Sequence, residues 1–429
     1  MDRVQKLRWK SIEGLGSNIV LLGFLFWSAV LPFAQMQKIR FTGISVFVMV
    51  GGFLIFLFGK ASLRRLPPRS GWIICTFILV AILPILDFFR WENEKAAMAS
   101  LVLKLPMIAI PFIVIQISKF WSFSWQKLAF ILLTISSFVN ILVFSSQGLS
   151  FIFDSIRAST DAIVLKFPTS RPYYGFLLGA ILFIFFRLNR EKLRPYLFFP
   201  IAFFFAFEWL ILGKLAILAF SICLLIYGVY YFRKNIKVLG ILIFISVLAL
   251  GLGAHKFLNS PIFHDLKLRG EINFTTLPKE YANSFNSRIL LWNSTFELLS
   301  KNDNWLFGLG TQNFQNQLDA EVAKYSNEMS THHFTPHNLF LAWWLQYGIS
   351  GVFLLLLLFF LFFKEAWKQK SIALFLLSIY LIISVQTEVY LDREMGVQLL
   401  IWLLLVGFIN HKENSPNVEI QTGILKSEA

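Results

Sequence analysis

Apolar residues fall along this chain in long unbroken runs, without the alternation of a half-buried strand. The runs lie near 17-34, 41-59, 71-89, 97-118, 128-146, 172-187, 195-213, 215-232, 238-254, 337-363, 371-388 and 394-410. Each approaches or reaches the roughly 17 to 25 residues that a helix needs to cross a bilayer. Twelve runs therefore predict an all-α polytopic membrane protein of about twelve transmembrane helices. Those at 172-187 and 394-410 are short, and the pair meeting at Gly213 and Lys214 must turn tightly. The stretch 255-336 breaks the pattern and divides the chain: spans one to nine in 1-254, a large loop at 255-336, spans ten to twelve in 337-410 and a tail at 411-429. Within the loop, Ile289, Trp292, Phe296 and Leu299 recur at helical spacing, predicting an amphipathic helix on the membrane surface or over the spans. LFGLGTQNF, residues 306 to 314, follows as a glycine turn, with Thr311 placed to cap a second helix.

Composition agrees with the pattern: 57% of residues are hydrophobic and 15% charged, far from a soluble fold of 429 residues. A formal net charge of +15 suggests nucleic acid at first sight, but the basic residues sit in short clusters between apolar runs, so they set topology and imply no nucleic-acid partner. With the N-terminus inside, inside segments hold 22 of the 39 basic residues, short outside loops nine and the long loop seven, with Lys104 inside a span. That bias places both termini in the cytoplasm and the long loop outside. The two cysteines, Cys75 and Cys223, lie in apolar runs and make neither a disulfide framework nor a metal site. The first run shows no small-residue cleavage site and reads as a retained span.

The tenth run opens with TPHNLFLAWWLQYGISG, placing His337 and Asn338 where a helix is about to enter lipid. On one continuous helix His337 and Gly348 come within about 20° of each other, and Gly351 within about 40°. The histidine would then share the smooth face on which a neighbour packs closely. Two readings stand side by side: an interfacial histidine that anchors the helix, and a base aimed into the bundle. Lys214, in EWLILGKLAILAF, is either a snorkelling lysine of a tight outside turn or a cation facing a cavity. Lys104, in LVLKLPMIAIPF, lies deeper and pairs with a scaffold carboxylate or a phosphate. Arg288 begins the loop helix one turn before Trp292, as a solvated arginine or as a site cation. Lys214, Arg288 and His337 all belong to the outer side, and two cations with a base suit a diphosphate-bearing lipid. The sequence has no D-x-D pair, Walker loop or His-Cys cluster, so it signals neither a metal-bound nucleotide-sugar site nor an ATPase, and no cofactor.

In this order and spacing the motifs resemble the O-antigen ligase and polymerase superfamily of bacterial membrane glycosyltransferases. The resemblance rests on H-[NS]-x9-G-x-x-G, here His337, Asn338, Gly348 and Gly351; on Arg288 and Trp292 followed by Gly308 and Gly310; and on TEVYLDREMG with Glu388, Arg393 and Gly396. It implies a GT-C-like enzyme of the inner membrane with its active site facing the periplasm. The implied donor is a glycan on undecaprenyl diphosphate, and the acceptor is lipid A-core for a ligase or a second lipid-linked glycan for a polymerase. Lys214 stands where the family usually carries arginine, keeping the charge but losing the bidentate fork. In these terms His337 takes the proton of the attacking hydroxyl, Arg288 and Lys214 hold the diphosphate, and direct displacement inverts the anomeric carbon. Asn338 orients the histidine or a sugar hydroxyl, and Arg171, in PTSRPYYG, contacts substrate at the outer face. The rivals are a polymerase, a flippase for lipid-linked glycans, and a peptidoglycan glycosyltransferase of the shape-and-division class, in which a carboxylate would carry the base role.

Overall fold

The computed structural model describes residues 2–33, 41–58, 78, 82–83, 106–121, 125–146, 171–188, 200–203, 214–233, 235, 237, 240, 284–301, 303–325, 330–331, 333–386, 388–389, 391 and 394–408. Among the described residues the chain is helical and has no strand. The helices are α1 (Asp2–Val30), α2 (Phe41–Phe58), α3 (Pro106–Ile117), α4 (Trp125–Ser146), α5 (Arg171–Leu188), α6 (Lys214–Phe232), α7 (Ser284–Ser300), the single turn α8 (Asn304–Phe307), α9 (Gly310–Ala323), α10 (Leu339–Tyr347), α11 (Ile349–Lys368), α12 (Ile372–Val385) and α13 (Glu394–Leu403), which continues as a π-helical turn Leu404–Phe408. Among the described residues two segments are long and apolar enough to cross a membrane, Ile12–Val30 and Ile349–Lys368, and seven further apolar helices are shorter. The spans expected at 71-89, 195-213 and 238-254 lie almost wholly outside the described residues, as does Lys104.

α13 is the axis of the bundle. Leu399, Ile401, Trp402, Leu404 and Leu405 point in every direction around it, and all are fully buried. A helix apolar on all sides has no solvent face and must be enclosed. Its polar atoms are matched: Trp27 Nε1–H donates to Gln398 Oε1 at 3.2 Å, Trp402 Nε1–H to Ser28 Oγ at 3.1 Å, and Gln126 Nε2–H to the Leu405 carbonyl at 3.1 Å in the π turn. α1 and α2 approach closely at glycines, since a Cβ on Gly16 would stand 2.7 Å from the Gly52 carbonyl oxygen. At one end Gln369 gathers the chain: it accepts from Arg187 Nη2 at 2.5 Å and donates to Glu365 Oε1 at 2.7 Å and the Phe408 carbonyl at 2.8 Å.

α5 and α6 both run antiparallel to α12. The Tyr380 hydroxyl donates to the Gly175 carbonyl at 2.7 Å while Arg187 reaches Gln369, so the start of α5 lies beside the end of α12. Phe220 meets Tyr380 and Cys223 meets Leu376, giving α6 the same direction. Gly179 makes room for the Tyr380 ring, which a Cβ there would strike.

The expected tenth span is two helices. Gly348, at φ +68°, ends α10, and the chain turns back into α11. Phe340 stacks on Phe359, and Gly351 lies against the Trp343 carbonyl, contacts that pair the two helices in opposite directions. His337 precedes α10 in a turn, so it shares no helical face with Gly348. The continuous-helix expectation fails because a backbone at Gly348 φ suits a residue without Cβ and breaks the ladder.

The lobe formed by α7 to α9 also departs from its pattern. α7 is present, but it buries Leu290, Leu291, Leu298 and Leu299 against α9 and α10, whereas Phe296 is 50% exposed. Of the four positions expected to face inward, only Leu299 is buried, because α7 sits between two helices instead of on one flat surface. Thr311 is not at the N-cap. α9 already starts at Gly310 with Leu309 at its N-cap, and the Leu309 N–H donates instead to the Leu345 carbonyl at 2.7 Å. Lys301 and Lys324 converge on Glu321, which ties the end of α9 back to α7. Burial pushes the Glu321 pKa up, but the two lysine hydrogen bonds outweigh it and bring the pKa down to about 2.

Two outcomes follow. Gly348→Ala puts a Cβ onto the Leu306 carbonyl at a left-handed φ; we expect a loss of at least about 2 kcal/mol, seen as a lowered apparent Tm in detergent, while Gly51→Ala, with open space around it, leaves Tm unchanged. Because the Glu321 pKa is depressed on folding, its stabilisation is complete above about pH 4.5 and is lost as pH falls toward 2. Solvent around the exposed lysines limits this to about 1–2 kcal/mol; acid titration of Tm should show the slope in the parent and not in Glu321→Gln.

Candidate functional site

The segment before α10 is held by the lobe beneath it. Trp292 Nε1–H on α7 donates to the Pro336 carbonyl at 2.8 Å, and Gln315 on α9 donates to the Phe334 carbonyl at 3.2 Å. Asp319 accepts from Gln315 at 2.9 Å and meets His333 Nδ1 at 2.6 Å. So fixed, the chain enters His337 at φ +49°, a left-handed conformation that is uncommon for a residue with a side chain. Strain of this kind persists where its surroundings over-determine it. Here both neighbours are pinned, Pro336 by Trp292 and Asn338 by its cap.

Asn338 is extended, at φ −149° and ψ 118°, and its Oδ1 accepts from the Leu341 N–H at 3.1 Å. It is the N-cap of α10, a position at which asparagine satisfies a helix donor. Its Nδ2 donates to Gln386 Oε1 at 3.1 Å. One residue earlier, His337 Nδ1 lies 3.3 Å from both Glu388 carboxylate oxygens. Consecutive residues thus reach Gln386 and Glu388, just past the end of α12. The imidazole side chain is 27% exposed and the Glu388 side chain 10%, so the carboxylate stands behind a reachable ring. With Nδ1 turned to the carboxylate, Nε2 is the nitrogen left for a ligand.

Because α12 has 14 residues and α11 has 20, the end of α12 stops about 9 Å short of the end of α11. Gln386 and Glu388 follow that shorter end and hold the imidazole beside it. α6 brings Lys214 to the same level: Lys214 is six residues from Phe220 and Gln386 six from Tyr380, about 9 Å in each case. Arg171 opens α5 four residues before Gly175, at the same end. Backbone positions alone are described for Lys214 and Arg171. Arg288 precedes Trp292 by four residues on α7 and so shares the face that holds Pro336. The structure therefore gathers the Lys214, Arg171, Arg288, His337 and Asn338 positions at one end of the bundle; Lys104 falls outside the described residues.

Gly308 and Gly348 meet back to back. A Cβ on Gly308 would stand 2.5 Å from the Gln346 carbonyl oxygen, and one on Gly348 would strike the Leu306 carbonyl. Gly310, at φ +79°, starts α9, and Gly351 gives the Trp343 carbonyl its room. The motif glycines are thus the joint between lobe and bundle. Sequence reasoning missed the pairing of Glu388 with His337 and the parts of Gln386 and Pro336. The acidic Glu388 at the very end of an apolar run was the available signal, since a buried carboxylate requires a partner.

Residues 209–356, about a third of the chain, match the family model described as O-antigen ligase. The resemblance drawn from the motifs is borne out there, and the matched stretch contains Lys214, Arg288, Trp292, His337, Asn338, Gly308, Gly310, Gly348 and Gly351. No curated protein matches the chain.

Removing the cap should loosen the histidine turn without unfolding the bundle. Asn338→Ala is expected to cost about 1 kcal/mol, and Asn338→Asp, which keeps the cap acceptor, less; Tm together with proteolysis of the 330–338 segment measures both.

Proposed function

We propose that this chain, whose residues 209–356 carry an O-antigen ligase domain, is a glycosyltransferase that moves a glycan from undecaprenyl diphosphate to an acceptor sugar hydroxyl at the periplasmic face of the inner membrane. The observation that carries the reading is the His337–Glu388 pair at the end of the bundle where two helices begin with Lys214 and Arg171. Glu388 fixes the ring with the proton on Nδ1, and Nε2 accepts the proton of the attacking hydroxyl. The oxygen then displaces the diphosphate from the anomeric carbon from the opposite side, so configuration inverts. Arg288 and Lys214 hold the diphosphate and stabilise the charge that grows on it. Asn338 orients the turn, and Arg171 contacts the donor at the same end. Hydrogen-bonding side chains suffice for this reaction, so it proceeds without a metal or cofactor.

The description of the matched family favours lipid A-core as acceptor, making the enzyme a ligase of lipopolysaccharide assembly. A polymerase would use the same donor site and differ only in the acceptor. A flippase is less well supported, because the family model matched at residues 209–356 is described as a ligase and a carrier makes no covalent product.

The test is transfer by purified protein in EDTA, with an undecaprenyl-diphosphate glycan and either lipid A-core or a second lipid-linked glycan. Product on lipid A-core is expected; a lengthened lipid-linked chain would make it a polymerase, and no product from folded protein would sink the enzyme reading. His337→Ala should lower kcat by about 10²–10⁴. Glu388→Gln, whose amide can donate to Nδ1 and so place the proton on Nε2, should lower kcat by a factor on the order of 10² while KM holds; full activity in that variant would remove the orienting role.

A further inference from the structure

We propose that the α8 turn is a membrane anchor: Trp305, Leu306 and Phe307 lie in the interface of the leaflet at the His337 end and hold the α7 to α9 lobe at a fixed height on the bilayer. This turn has no buried residue, and the three side chains are 47%, 36% and 56% exposed. Position identifies lipid as the occupant. Trp344 Nε1–H donates to the Trp305 carbonyl at 2.9 Å, and Leu306 meets Gly348, so α8 is fastened to the head of α11. α11 is the 20-residue apolar helix, and it exposes Ile349, Phe353, Leu356 and Phe360, a single stripe at spacings of four, three and four. In a helix that crosses a bilayer, such a stripe faces lipid. It begins at Ile349, the residue after Gly348, and so runs directly into the apolar surface of α8.

The far end of α11 supplies a second, independent mark. Trp367 is 80% exposed there, between Lys364 and Lys368. Eighteen residues separate it from Ile349, about 27 Å of helix, close to the thickness of a hydrocarbon core. Tryptophan is enriched at both faces of a bilayer, with lysine on the cytoplasmic side. Trp305 and Trp367 thus mark two interfaces one membrane apart, and Trp305 belongs to a segment outside the span. The lobe that pins Pro336 is thereby set against the bilayer by α8, whatever glycan the protein transfers.

The test uses the full chain in nanodiscs of phosphatidylethanolamine and phosphatidylglycerol, in a Cys75→Ser, Cys223→Ala background, with a nitroxide at Phe307→Cys. Phe353→Cys supplies the lipid reference and Gln317→Cys, exposed on α9, the water reference. Collision with oxygen, which concentrates in lipid, is compared with collision with a water-soluble nickel chelate. The Phe307 site should show an oxygen-to-nickel ratio several-fold above that of Gln317 and toward that of Phe353. A ratio equal to that of Gln317 would put the turn in water and overturn the proposal. Protection from both reagents would equally overturn it, by showing a protein surface, such as a second copy, over the turn.

Discussion

The contact of Gly308 with Gly348 is the constraint on which this end of the molecule depends. At that point two backbones pass with no side chain between them, and each glycine adopts a left-handed φ that frees its chain to turn. Because Gly348 turns, α10 doubles back on α11 and does not extend it. Because Gly308 turns against it, the lobe is locked to the bundle, and Trp292 arrives at the Pro336 carbonyl. The histidine turn is then suspended between the lobe on one side and the end of α12 on the other. A methyl group at either glycine would separate the two halves of the support.

The proposed base illustrates how such a site is assembled from distant pieces. Glu388 lies 51 residues after His337, and Trp292 lies 44 before Pro336, yet all converge on one short turn. None of these contacts follows the periodicity of a helix. Apart from Trp292 on α7, the residues that make them lie in turns and caps, where the backbone leaves side chains free to be aimed, and the strained φ of His337 persists because both flanking residues are bonded.

That division explains what could be read from the sequence. The spans at 41-59, 172-187 and 215-232 correspond closely to α2, α5 and α6, since a run of apolar residues bounded by charge leaves little choice in lipid. His337, Asn338, Gly348 and Gly351 stand out as a group in the sequence, but the turn that parts them does not. Leu339 to Phe363 is apolar throughout, so hydropathy is silent about a break inside it, and only the conformation of Gly348 reveals one. Likewise α7 was legible as a helix, while its inward face was not. Phe296 is as hydrophobic as Leu298, and which of them is covered depends on α9 and α10, whose places no local pattern encodes. Glu388 was visible as an acidic residue in a motif; that it stands behind His337 depends on the lengths of α11 and α12.

The knot around Gln369 bears on how the molecule moves. Arg187, Glu365 and the Phe408 carbonyl meet on one amide, joining α5, α11 and the π turn after α13 where the helices are packed tightly. A rocking motion that parted these helices would break three hydrogen bonds at once. One amide thus couples three helices, so that displacing any of them at this end disturbs the hydrogen bonds of the other two.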